Sequence, residues 1–268
     1  MATQSVIVDD GTGLDVEQVG EGHPLIALHG LGGDRSQPLR LLTGLPARLV
    51  APDLRGHGVV HRIPADDEYT FERLEHDLRC LLSALGLDDP LNIVGFSMGA
   101  GVALRYAITH PTHIHRLVLV RPAWTCTVCP ENLKIFPLIS GLLRTSGSAD
   151  PYVRLAASGE YRAIARVSPA VAASLAGQLD QPRARTLAAR LDRMPRSVPY
   201  QNPKELGGVS APTLVLAVED DPVHPTSVAR DLTGGLPDAT MATIPNTNDL
   251  VGYRSGLIAA VSTFLGER

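Results

Sequence analysis

Ser97 is the residue in this chain best placed to act as a nucleophile. It lies in Gly95-Phe96-Ser97-Met98-Gly99, after an apolar, β-branched run (Leu91 to Val94) and before a helix-forming run (Ala100 to Ile108). Strand, sharp turn and helix in that order form a nucleophile elbow, which lifts the serine hydroxyl off the end of a strand. Glycine is needed at 95 and 99 because backbone passes close to the turn and a Cβ would clash. The N–H of Met98 opens the helix and is free to face a developing negative charge. A serine hydroxyl attacks only when a neighbouring base takes its proton, so the rest of the chain is read for that base.

The elements that must hold Ser97 follow from periodicity. Ser5 to Asp9 and Leu14 to Val19 flank Asp10-Gly11-Thr12-Gly13 and read as an antiparallel hairpin. Pro24 to Leu28 and Arg48 to Ala51 are short, continuously apolar strands, as expected where both faces are covered. Thr70 to Leu85 carries apolar residues at helical spacing with Thr70 as N-cap, and Arg116 to Val120 is a further strand. Strand–helix alternation then stops. From 122 to 206 the pattern is helical and broken by prolines, with helix starts expected at Ser168-Pro169 and Gln181-Pro182. Alternation resumes with Thr213 to Val218, Thr226 to Gly235, Ala239 to Ile244 and Tyr253 to Leu265. This predicts an α/β fold, a mostly parallel, doubly covered sheet of about eight strands, built from residues 1–121 and 207–268. Residues 122–206 are the expected helical lid.

Ligands in such sheets sit at the carboxyl ends of the strands. His29, Arg55, His57, His61, Ser97, Arg121, Asp221 and His224 all follow strands and belong to that edge, whereas His110, His113 and His115 precede one. Composition narrows the function. A net charge of −4 gives no electrostatic support for nucleic-acid binding. No apolar run approaches a membrane span, and no signal peptide is readable at Met1-Ala2-Thr3-Gln4, so a cytoplasmic protein is expected. Three cysteines fit a reducing compartment better than a disulfide framework. Cys126-x-x-Cys129 lacks the further ligands a zinc site needs, so neither metal nor cofactor is expected.

His29-Gly30, Asp53-x-Arg55-Gly56-x-Gly58, Gly95-x-Ser97-x-Gly99, a helical insertion and Asp220-Asp221-Pro222-Val223-His224-Pro225 occur in one order along the chain. In this the sequence resembles the α/β-hydrolase superfamily over essentially its whole length. The resemblance implies Ser97 as nucleophile, the N–H groups of Leu31 and Met98 as oxyanion hole, and Asp221, rather than Asp220, as the triad acid. It implies a small-molecule pocket, which we expect to include His29, Gly30, Trp124, Asn248 and Asp249.

The superfamily's base follows the last strand, yet here that segment reads Ile244-Pro245-Asn246-Thr247-Asn248-Asp249-Leu250, and no histidine occurs after His224. Asn248 has no basic side chain, and Asp249 is a weak base at an ordinary carboxylate pKa of about 3.9. His224, three residues after Asp221, is the preferred substitute, with His57 and His61 as alternatives. The expected activity is hydrolysis of an ester, thioester or lactone of a small metabolite through a Ser97 acyl-enzyme. The competing expectation is a degenerate member that binds a ligand or performs cyclase- or lyase-type chemistry. From Arg144 to Arg196 nine arginines stand against four acidic residues, which suggests an anionic or carrier-linked substrate if they face the pocket.

Overall fold

The computed structural model describes residues 2–87, 90–145 and 150–266. Its first strands, β1 (Ala2–Ile7) and β2 (Gly13–Val19), form the antiparallel edge hairpin. Then follow β3 (Pro24–Leu28), α1 (Ser36–Leu42), β4 (Arg48–Pro52), α2 (Phe71–Ala84), β5 (Leu91–Phe96), α3 (Met98–Thr109) and β6 (Ile114–Val120). A helical segment intervenes, with α4 (Ile135–Arg144), α5 (Pro151–Ala157), α6 (Gly159–Val167), α7 (Pro169–Ala176) and α8 (Ala189–Arg193). The chain closes with β7 (Thr213–Val218), α9 (Thr226–Gly235), β8 (Ala239–Ile244) and α10 (Leu250–Gly266). The sheet has eight strands in the order β1-β2-β4-β3-β5-β6-β7-β8, parallel from β4 onward.

Alternating side chains build two cores, one on each face. Ile93, Leu117 and Leu119 pack on the face covered by α2, α3 and α9. Val94, Phe96, Val118 and Val120 pack on the other, under α1 and α10. Both faces are therefore dry, which is why these strands read as unbroken apolar runs rather than as alternations. Among the described residues no helix is long and apolar enough to cross a membrane.

Local signals account for several helix starts. The Thr70 hydroxyl caps α2 by accepting from the N–H of Arg73, and the Ser168 hydroxyl caps α7 by accepting from Val171. Gln181-Pro182 does not start a helix: the chain makes turns there, Arg183 sits at φ 58°, and α8 begins only at Ala189. Helix α1, with Pro38 inside it, carries little apolar periodicity and was not expected.

Arg55 anchors the loop after β4. It is wholly buried and forks onto Asp77 of α2 at 2.6 and 2.8 Å, with further bonds to Asp10, Thr12 and Glu68. That bidentate geometry is what a buried guanidinium requires.

Candidate active site

Strands β3, β5, β6 and β7 are consecutive neighbours, so the loops leaving their carboxyl ends converge. Ser97 follows β5 with φ 53° and ψ −110°, a conformation that side-chain-bearing residues avoid. Close packing around the turn explains the flanking glycines. A Cβ on Gly95 would lie 2.2 Å from the Gly99 carbonyl oxygen, and one on Gly99 would lie 2.4 Å from that of Leu28.

The loop after β7 supplies both remaining groups. His224 Nε2 is 2.8 Å from Ser97 Oγ, and His224 Nδ1 is 2.9 Å from Asp221 Oδ2. The other oxygen of Asp221 accepts from the backbone N–H groups of Val223 and His224, both at 3.1 Å, which fixes the loop around the carboxylate. Asp220, the rival acid, is exposed. Burial works against the Asp221 charge, but the His224 imidazole and the Arg121 guanidinium hold its carboxyl well below the usual carboxylate range. Burial also pushes His224 below its ordinary value; Asp221 pulls it back and Arg121 opposes Asp221.

His29 lies behind the loop rather than on the cavity. It is fully buried, Nδ1 donates to the Gly30 carbonyl at 2.8 Å, and Nε2 accepts from the N–H of Leu54 at 3.0 Å. The same Gly30 carbonyl accepts from Gly33, and the Gly30 N–H is taken by Gln37 at 2.7 Å. Among the described residues the Leu31 N–H takes no part in these loop bonds. The Met98 N–H, first in α3, has no intrahelical acceptor.

A cavity of about 530 Å³ opens onto these groups. Leu31, Ser97 and His224 line it from the core, with Phe136, Val171 and Leu175 from the helical segment. A larger depression, about 810 Å³, lies at the amino ends of the strands around Pro24, Leu91 and His115, away from Ser97.

Several expected pocket residues are elsewhere. Trp124 is 2% exposed; its ring packs edge-on against Phe71 and its Nε1 donates to the Met194 carbonyl, so it is a core residue. Asn248 accepts from the N–H of Ala170 at 3.0 Å and ties the last loop to α7. Asp249 accepts from the N–H of Gly252 at the start of α10. Thr247 and Leu250 line the cavity in their place.

His57 donates through Nδ1 to the Arg55 carbonyl, and His61 bonds Asp15 near the edge hairpin, so neither contacts Ser97 among the described residues. The thiols of Cys80, Cys126 and Cys129 are free. Asp9, His76 and Cys80 approach one another at the surface, but Arg73 and Arg79 already bond Asp9 and His76.

None of the nine arginines of the helical segment lines the cavity. Arg144 and Arg193 pair with Asp66, Arg183 reaches the Val60 carbonyl and Arg190 the Gly56 carbonyl, so four of them dock the segment onto the loop after β4. Sequence reasoning gave no role to Arg121, whose guanidinium touches both Asp221 and His224.

A family profile described as alpha/beta hydrolase fold matches residues 23–145, the stretch that contains Ser97. Among solved structures, MGS-M2, an alpha/beta hydrolase from a deep-sea metagenome library of the Medee basin, superposes with a TM-score of 0.77 at 22% identity, covering 99% of this chain and 98% of that one. The chain has the α/β-hydrolase fold. An esterase from Exiguobacterium antarcticum shares the fold at a TM-score of 0.75 and 16% identity, over 97% of this chain and 99% of its own. Among curated relatives, 2-hydroxymuconate semialdehyde hydrolase of Pseudomonas putida is 38% identical over 120 residues, 42% of this chain and 41% of that protein. Lipase 1 of Psychrobacter immobilis is 31% identical over 134 residues, 49% of this chain and 42% of its own. The chain thus matches less than half the length of these curated relatives.

Proposed function

We propose that this α/β-hydrolase-fold chain is a serine hydrolase that cleaves an ester, thioester or lactone of a small metabolite through a Ser97 acyl-enzyme. The observation that carries the reading is the unbroken chain Ser97 Oγ to His224 Nε2 at 2.8 Å and His224 Nδ1 to Asp221 at 2.9 Å. That is the contact order of nucleophile, base and orienting acid, recognised by geometry rather than by sequence position. The names of its relatives, a semialdehyde hydrolase and a lipase, support hydrolytic chemistry in the broad sense.

In this reading His224 Nε2 takes the Ser97 proton as Oγ attacks the carbonyl carbon, while Nδ1–H stays on Asp221. The N–H groups of Leu31 and Met98 receive the negative charge on the carbonyl oxygen. His224 then gives the proton to the leaving oxygen or sulfur, and afterwards activates the water that releases the acyl group. The helical segment 122–206 serves as a lid over the core. Because its cavity wall is made of residues such as Phe136, Val171 and Leu175, the acyl part is apolar and modest in size. Four of its arginines act in docking and none of the nine lines the cavity, so the substrate needs no phosphorylated carrier. The free thiols support a reducing, cytoplasmic setting.

The test is labelling of the protein with a fluorophosphonate probe. Wild type is expected to label, Ser97→Ala not at all, and His224→Ala at least 100-fold more slowly, since general-base help is worth roughly 100- to 10,000-fold. Inert wild type would return the chain to the ligand-binding or non-hydrolytic reading. Labelling untouched by His224→Ala would remove His224 as base.

A further inference from the structure

We propose that Arg121 is a positioning residue that clamps Asp221 and, through it, fixes which nitrogen of His224 carries the proton. The inference rests on the hydrolase reading for its kinetic consequence, but its geometry stands apart. Arg121 Nε lies 2.8 Å and Nη2 2.6 Å from Asp221 Oδ2, so both nitrogens close on one oxygen. Nη2 is also 3.1 Å from His224 Nδ1. A guanidinium only donates and a carboxylate only accepts. Asp221 Oδ2, held in place by Arg121, can only accept from Nδ1 at 2.9 Å, so Nδ1 carries the proton, Nη2 makes no bond to it in that tautomer, and Nε2 is left bare toward Ser97.

The backbone is bent to put the guanidinium there. Arg121 donates its N–H to the Leu216 carbonyl at 2.8 Å, as the sheet requires, and then turns at φ 50°. A residue with a Cβ held in that region is strained, and such strain persists where surrounding contacts enforce it. Tyr253, buried on α10, lines the same cavity as Arg121 and interacts with its guanidinium. The helix that follows the histidine-free loop therefore still reaches the site, through Tyr253 and Arg121.

A pH consequence follows. The charged and titratable groups facing His224 are Asp221 on its own loop and Arg121 from the end of β6, with Tyr253 of α10 behind Arg121 and the Ser97 hydroxyl opposite. Arg121 offsets the carboxylate that would otherwise favour imidazolium, so the base stays free into mildly acid solution.

The experiment compares wild type, Arg121→Met and Arg121→Lys by fluorophosphonate labelling rate from pH 5 to 9, with His224 followed in parallel by nitrogen-15 NMR. Arg121→Met is expected to move the acid limb and the His224 titration up by about one pH unit, a tenfold loss of rate on that limb. Its plateau is expected to fall as well, because Asp221 is no longer held. Arg121→Lys keeps the charge without the two-nitrogen fork, so it is expected to restore the limb and leave the plateau low. An unchanged titration and tautomer in Arg121→Met would overturn the proposal. Should that variant not fold, Tyr253→Phe with Arg121→Lys provides the comparison, and wild-type limb and plateau in both would overturn it equally. NMR reads the clamp even if Ser97 proves unreactive, so failure of the hydrolase reading is seen separately.

Discussion

The strain at Ser97 has a measurable sign. At an ordinary position alanine is more stable than glycine by about 0.5–1 kcal/mol, because glycine loses more backbone freedom on folding. Ser97 is not ordinary: φ is 53° and ψ is −110°. A Cβ held in such a region costs about 1–3 kcal/mol. Ser97→Ala and Ser97→Gly both remove the hydroxyl and the 2.8 Å contact with His224, so that loss cancels between them. What remains is the Cβ penalty less the glycine entropy, roughly 1 kcal/mol in favour of glycine. For chains of this size about 1 kcal/mol moves Tm by roughly 2–4 °C. Calorimetry on the two variants should therefore place Ser97→Gly above Ser97→Ala by that margin, with the same order in urea midpoints. An alanine variant equal to or more stable than the glycine variant would show that the turn is unstrained, and the argument that the fold strains this turn to present the hydroxyl would go with it.

Two further outcomes are expected. His29, His57 and His224 are buried and held below their ordinary pKa, chiefly by burial. The unfolded chain takes up protons below about pH 6.5 that the folded chain refuses, so stability is full above that pH and is lost as pH falls, at up to about 1.4 kcal/mol per pH unit for each histidine. Urea titrations between pH 7.5 and 5.5 should show this, with a slope reduced by about a third in His57→Leu; a slope unaffected by that change would refute it. Arg55→Met should cost about 3–5 kcal/mol by urea denaturation, since it strips the fully buried Asp77 of its bidentate partner, and a loss below about 1 kcal/mol would contradict this.

How much of this was legible in the sequence depends on the range of the interaction involved. The parallel strands and the turn at Ser97 rest on contiguous residues, so an apolar run followed by Gly-x-Ser-x-Gly suffices to place them. The approach of His224 to Ser97 was also within reach, because it lies three positions after Asp221 on a loop that leaves β7, two strands from β5. Trp124 was misplaced because a residue just past a strand end can turn toward cavity or core, and its choice is set by Phe71 and by a carbonyl at Met194, far along the chain. The basic segment misled in the same way: charge counts along the chain do not say which way arginines point, and four of these point to the loop after β4.

Arg121 is the deepest case. Nothing in its neighbours marks it, since its placement needs the end of β6, a left-handed backbone and Tyr253 from the last helix together. Yet the missing histidine makes such a residue intelligible. With the imidazole on the same short loop as its acid, the two cannot be held apart and oriented by separate loops, as a base after the last strand would be. A third group from a neighbouring strand end must fix the carboxylate, and a guanidinium whose two nitrogens meet one oxygen does so with a single side chain.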